Sequence, residues 1–208
     1  MSAAALNDVP TVLSEHYLTD DFVVQLASEE DLSEILAIYN QTIAGKQATA
    51  NLTPVTREER ADWFDEHISS AKRPIYVVKA MHKTTQSAAK TETAAIVAWG
   101  SFSDLYARPA YHISTEISIY LHQDYHGQGL GSLLTSWMLT QAPSLGIHNV
   151  IALIFAHNKP SLGLFRKLGF EQWGYMPKVC DMQGFIADVV MLGKAVSSDG
   201  YQIQIGIN

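Results

Sequence analysis

Apolar residues along this chain recur with two different periods, and the switches between them mark out most of the elements. Phe22-Val-Val-Gln-Leu26 is short and β-branched, which predicts a strand. Leu32, Ile35, Leu36, Tyr39 and Ile43 then repeat at helical spacing. Ser28 is placed to cap that helix, with Glu29, Glu30 and Asp31 in its first turn. Residues 44–55 read as a loop. Thr56-Arg-Glu-Glu59 is a capping box that opens a second helix through Trp63, Phe64 and His67. Ile75–Lys79 and Ala94–Phe102 read as paired strands joined by a polar turn over His82–Glu92. Thr115–Leu121 alternates strictly, so it is a strand with two distinct faces.

Further along, residues Gly129 to about Ser144 are helical and Asn149–Phe155 is an apolar strand. A helix starting near Pro160 runs to Leu168 and is stopped by Gly169. Glu171–Val179 and Phe185–Leu192 form a final strand pair. The order β-α-α-β-β-β-α-β-α-β-β predicts an α+β fold in three layers, a mixed and mostly antiparallel sheet flanked by helices. It divides into an irregular leader over residues 1–21, one domain over 22–196 and a tail over 197–208. No internal repeat interrupts this reading.

Composition narrows the possibilities. The 208 residues are 47% hydrophobic and 17% charged, enough apolar material for one sizeable core. The formal net charge of −7 argues against sequence-independent nucleic-acid binding, because phosphates are repelled. A single cysteine, Cys180, excludes an internal disulfide and reads as a structural thiol. No apolar run reaches membrane-spanning length and the start lacks the features of a secretory signal, so a cytoplasmic protein without membrane contact is expected. No His/Cys/Asp/Glu cluster has metal-site spacing, and no metal is expected.

The candidate chemistry centres on His126-Gly-Gln-Gly-Leu-Gly131, which follows a strand and opens a helix. Glycines there leave backbone N–H groups uncovered, and a helix N-terminus adds about half a positive charge. Together they suit a diphosphate. The alternative is a strand-to-helix turn whose glycines serve packing. The glycine spacing is not that of a dinucleotide fold. Glu116 lies mid-strand among apolar and small residues, where burial would raise its pKa; a solvated or ion-paired carboxylate is the other reading.

His126–Gly131 resembles the pyrophosphate loop of the GNAT acetyltransferases, with His126 where Gln or Arg is usual. Ile38-Tyr-Asn40, Ala48-Thr49, Pro54–Arg60 and Trp63-Phe64 resemble the amino-terminal half of the phosphinothricin-type amino-acid acetyltransferases. Arg108-Pro-Ala-Tyr111, Glu116 and Tyr120 resemble their central block. Asn158, Ser161, Leu168-Gly-Phe170, Gly174 and Asp188-Val189 resemble their final one.

The resemblance implies transfer of an acetyl group from acetyl-CoA to the amine of a small amino acid or analogue, by direct attack, in a homodimer. It implies His126, Gly127, Gln128, Gly129, Leu130, Gly131 and Ser132 at the pyrophosphate. It further implies the backbone of Ile119, Tyr120 and Leu121, with Asn158 and Ser161, at the pantetheine. Glu116 is then the general base. Thr49, Ala50, Tyr106 and Arg108 fall at the acceptor. Ala50 replaces a Phe and Tyr106 an Arg, so the acceptor pocket is expected to be roomier and less cationic. Phe165 stands where many of these enzymes place a Tyr acid, and nearby His157 is expected to be structural. Acetylation of a protein N-terminus or lysine, and a non-catalytic acyl-CoA-binding module, stay open as other readings.

Overall fold

The computed structural model describes residues 15–81 and 95–197. Its strands are β1 (His16–Thr19), β2 (Phe22–Leu26), β3 (Ile75–Ala80), β4 (Ile96–Asp104), β5 (Ser114–Leu121), β6 (Asn149–Phe155), β7 (Glu171–Asp181) and β8 (Ile186–Ala195). Its α-helices are α1 (Leu32–Ile43), α2 (Arg57–Ile68), α3 (Leu130–Gln141) and α4 (Lys159–Lys167). Among the described residues the strands form one sheet in the order β1-β2-β3-β4-β5-β6-β8-β7. Every neighbouring pair is antiparallel except β5 and β6.

Two apolar layers cover this sheet. Leu32, Ile35, Ile38 and Tyr39 of α1 and Phe64 of α2 pack on Ile75, Val77 and Trp99. On the other face Leu134, Trp137 and Met138 of α3 and Leu162 and Phe165 of α4 pack on Val78, Phe102, Ile117 and Val150. Trp99 is 1% exposed, and a side chain of that size stabilises the fold by about 3 kcal/mol on burial. β4 is buried on both faces, which explains why it reads as a continuous apolar run.

The capping box at α2 forms as expected: the Thr56 N–H donates to Glu59 at 2.8 Å and the Glu59 N–H donates to Thr56 at 3.3 Å. Ser28 instead precedes a single 3₁₀ turn over Glu29–Asp31, and α1 proper starts at Leu32. The Asp31 carboxylate accepts from the Ser28 N–H at 2.8 Å and faces Lys79 at 3.5 Å.

The irregular leader is corrected at its end, because His16–Thr19 pairs with β2 and His16 lies against Trp137 of α3. The short polar segment HYLT carries too little periodicity to announce that strand. The polar turn over 82–92 falls outside the described residues, as does the tail beyond Ser197.

Candidate active site

The site begins with a defect in the sheet. β5 and β6 run parallel and pair over Ser114–Glu116 against Asn149–Ile151. Beyond Glu116 no further pairing joins them, while β5 stays zipped to β4 out to Leu121. The backbone of Ile117–Leu121 therefore faces an opening on its β6 side. Two cavities occupy that opening. One of about 730 Å³ is lined by Ile119–Leu121, His126, Gly127, Gly129–Ser132, Asn158 and Ser161. The other, of about 380 Å³, is lined by Glu116–Tyr120, Thr49, Ala50, Ala152–Phe155, Met176 and Cys180. They share Gln47, Ala48, Ile119, Tyr120, Asn158 and Ser161, so they meet at one waist.

The glycine loop closes the larger cavity. Gly127 and Gly129 sit at φ +74° and +83°, a left-handed region that favours glycine, and a Cβ at either would meet nothing within 4 Å. Gly129 is the N-cap of α3 and supplies no side chain to it. First-turn amides are thus left without a side-chain cap, an arrangement suited to an anion. The Ser132 N–H is an exception, since it donates to the Gly129 carbonyl at 3.0 Å. Gln128 does not line the cavity; its amide donates to the Asp124 carbonyl at 2.7 Å. His126 turns its Nε2 to the Leu121 carbonyl at 3.1 Å and so ties the loop to the end of β5. Open amides beside a large cavity fit the diphosphate of a coenzyme A thioester.

Among the described residues Glu116 is the one carboxylate lining the smaller cavity. Burial raises its pKa above the ordinary glutamate range. Tyr120, four residues further along the same face, stacks on Trp99 with centroids 4.6 Å apart, and burial pushes its phenol far above its usual range. It is not an acid near neutral pH. Phe165 is buried edge-to-face against Phe170 and lines neither cavity.

A strap from the α1–α2 connection crosses the waist. His157 Nε2 donates to the Lys46 carbonyl at 2.8 Å, and Asn158 Nδ2 donates to the Gln47 carbonyl at 3.0 Å. Lys46 Nζ donates to the Met182 and Gln183 carbonyls at 2.6 and 2.9 Å. Thr49 is held by the Tyr39 hydroxyl at 2.5 Å. His157 is structural, as expected. Asn158 also caps α4, its Oδ1 accepting from the Ser161 N–H at 3.1 Å, so its amide is spent largely on the protein itself. Asn158→Ala removes a cap and orphans a carbonyl. It is expected to cost about 2 kcal/mol in urea unfolding.

Tyr106 and Arg108 are not brought to either cavity. They lie exposed on the connection between β4 and β5, where Tyr106 meets Tyr111 edge-on. Arg73 anchors that connection through Asp104 at 2.7 Å and the His112 carbonyl at 2.8 Å. Within one chain the substrate roles expected of Tyr106 and Arg108 therefore find no support, and among the described residues no Lys or Arg lines the smaller cavity.

Sequence reasoning missed the cavity's far wall. A bulge between Met176 and Cys180 shifts the β7 register, with Lys178 at φ +53° and its N–H donating to Asp188 at 2.7 Å. The bulge turns Met176, Val179 and Cys180 to the cavity. Pro177 within the strand was the available signal, since proline there implies an edge or a bulge.

The acetyltransferase (GNAT) family model matches residues 47–170. The chain belongs to that family of acetyltransferases. It is 43% identical to the protein YwnH of Bacillus subtilis (strain 168) over 84% of its own length and 99% of that protein's. It is 32% identical to an L-methionine sulfoximine/L-methionine sulfone acetyltransferase of Pseudomonas aeruginosa, covering 80% of this chain and 90% of that one. The crystal structure of a phosphinothricin acetyltransferase from Sinorhizobium meliloti in complex with AcCoA superposes with TM-score 0.73 at 27% identity, over 84% of this chain and 88% of that one.

Proposed function

We propose that this enzyme moves an acetyl group from acetyl-CoA to the primary amine of a small amino acid or analogue of the methionine sulfone or phosphinothricin kind. One observation carries the reading: the gap between β5 and β6 has open helix-terminal amides at one end and a half-buried carboxylate, Glu116, at the other. The loop from Gly127 to Gly131 holds the diphosphate. The strand edge at Ile119–Leu121 aligns the pantetheine and presents amide N–H groups to the thioester oxygen. Glu116 takes a proton from the acceptor ammonium, directly or through water, and the neutral amine attacks the carbonyl.

The size of the second cavity supports a small acceptor, and the strap over the waist leaves little room for an extended peptide. Among the described residues no Lys or Arg lines that cavity, which supports selection against acceptors with a strongly anionic side chain. Thiol release across a panel of amines tests this. Turnover is expected with small L-amino acids and amino-acid sulfones. Activity confined to peptides or lysine side chains, or exclusive to phosphinothricin, would contradict it.

A further inference from the structure

Resting on the assignment of Glu116 as base, we propose that Ser103 and His67 form a relay that carries away the proton Glu116 takes. The register of β4 on β5 sets Trp99 opposite Tyr120, Ser101 opposite Ser118 and Ser103 opposite Glu116. Opposed residues share a face, with Cβ atoms about 5 Å apart. The stacked Trp99–Tyr120 pair packs under α1 and α2, so Ser103 and Glu116, an even number of residues away, lie on that face too. His67, in the last turn of α2, reaches Ser103.

The hydrogen-bond directions at His67 are fixed by chemistry. Its Nδ1 is 2.7 Å from the Trp63 carbonyl, which only accepts, so Nδ1 carries the hydrogen. Burial lowers the His67 pKa, so the ring is neutral near pH 7 and Nε2 has a free lone pair. That lone pair accepts the Ser103 hydroxyl at 2.9 Å. With its proton directed at His67, the Ser103 oxygen turns acceptor sites to its surroundings, and Glu116 is its cross-strand neighbour. The Thr115 hydroxyl donates to the Ser103 carbonyl at 2.7 Å, which fixes the backbone there.

The transfer balances. An N–H bond of the acceptor ammonium breaks and an O–H bond forms on Glu116. The Glu116 proton then passes, directly or through one bridging water, to Ser103 Oγ as the Ser103 proton passes to His67 Nε2. The positive charge moves from ammonium to imidazolium, and no electrons leave the system. The last turn of a helix favours a cation. Charged groups acting on His67 are Arg60, which opposes the imidazolium, and Glu66, which favours it; Asp104 beside Ser103 is neutralised by Arg73. Burial makes the imidazolium short-lived, so once the acetylated product leaves the proton retraces Ser103 and Glu116 to water in the open cavity, and the chain resets.

The test compares Ser103→Ala, Ser103→Thr and His67→Gln with wild type, using acetyl-CoA and the best acceptor of the amine panel. Ser103→Ala and His67→Gln are expected to lose about tenfold in kcat, with acetyl-CoA affinity and melting temperature near wild type. Ser103→Thr, which keeps the hydroxyl, should restore most of the rate. Imidazole added to the buffer should accelerate the Ala and Gln variants and leave wild type unchanged. Unaltered kcat in both variants, alongside loss in Glu116→Gln, would overturn the relay and leave the base standing. A loss that neither Thr nor imidazole repairs would also overturn it.

Discussion

Glu116→Gln is expected to lower kcat/KM by about a hundredfold or more while raising the melting temperature at neutral pH. The two effects share one cause. Glu116 sits where the sheet opens, in contact with apolar residues of β5 and β6, and burial raises its pKa. Its ionised form is therefore disfavoured in the folded protein relative to the unfolded chain. A group with a raised folded pKa contributes stability below its unfolded pKa and loses it as pH climbs through the folded value. Glutamine has no such loss. The gap in melting temperature between variant and wild type should thus open above about pH 4 and level off once the raised pKa is passed. Wild-type kcat/KM should rise across that same window as the base form appears. Acetyl-CoA affinity measured by calorimetry should not change, since the diphosphate is held at the other end of the cleft. A variant with full activity, or a fall in melting temperature, would remove Glu116 from its assigned role.

Most of the scaffold was legible because it follows from periodicity and capping. The helices at Leu32–Ile43 and Arg57–Ile68 and the strand at Ser114–Leu121 stand where their patterns predict. The conformation of the glycine loop was legible because a strand-to-helix turn at left-handed angles favours glycine. What the chain did not announce depends on pairings distant in sequence. Neither the parting of β5 from β6 nor the hydrogen bonds from Lys46 to Met182 and Gln183 leave a local pattern. His67 reads only as a position of the second helix, because its partner Ser103 lies 36 positions away. Likewise His126 suggested a phosphate ligand by position, yet its ring ties down the Leu121 carbonyl. Arg108 suggested a substrate clamp by charge, and it lies outside both cavities.

Ser132→Glu is expected to separate binding from folding in the opposite sense. Ser132 is the third residue of α3, a position where a carboxylate favours the helix through its dipole. Its N–H already donates to the Gly129 carbonyl, so the backbone loses nothing by the exchange. Stability should hold or rise slightly. The same residue lines the larger cavity, and a carboxylate there stands beside the proposed diphosphate. Like charges about 4–5 Å apart near a protein surface repel by a few kcal/mol, so a net loss of about 2 kcal/mol corresponds to roughly thirtyfold weaker acetyl-CoA binding. Ser132→Ala, which leaves the backbone untouched, should bind within about threefold of wild type. Calorimetric titration of the three proteins reads both results. Because the repulsion is between charges, added salt should narrow the gap between Glu and Ala. Equal affinity in Ser132→Glu would mean that the coenzyme's phosphates lie elsewhere, and the amides from Gly127 to Gly131 would then be only the turn that starts α3.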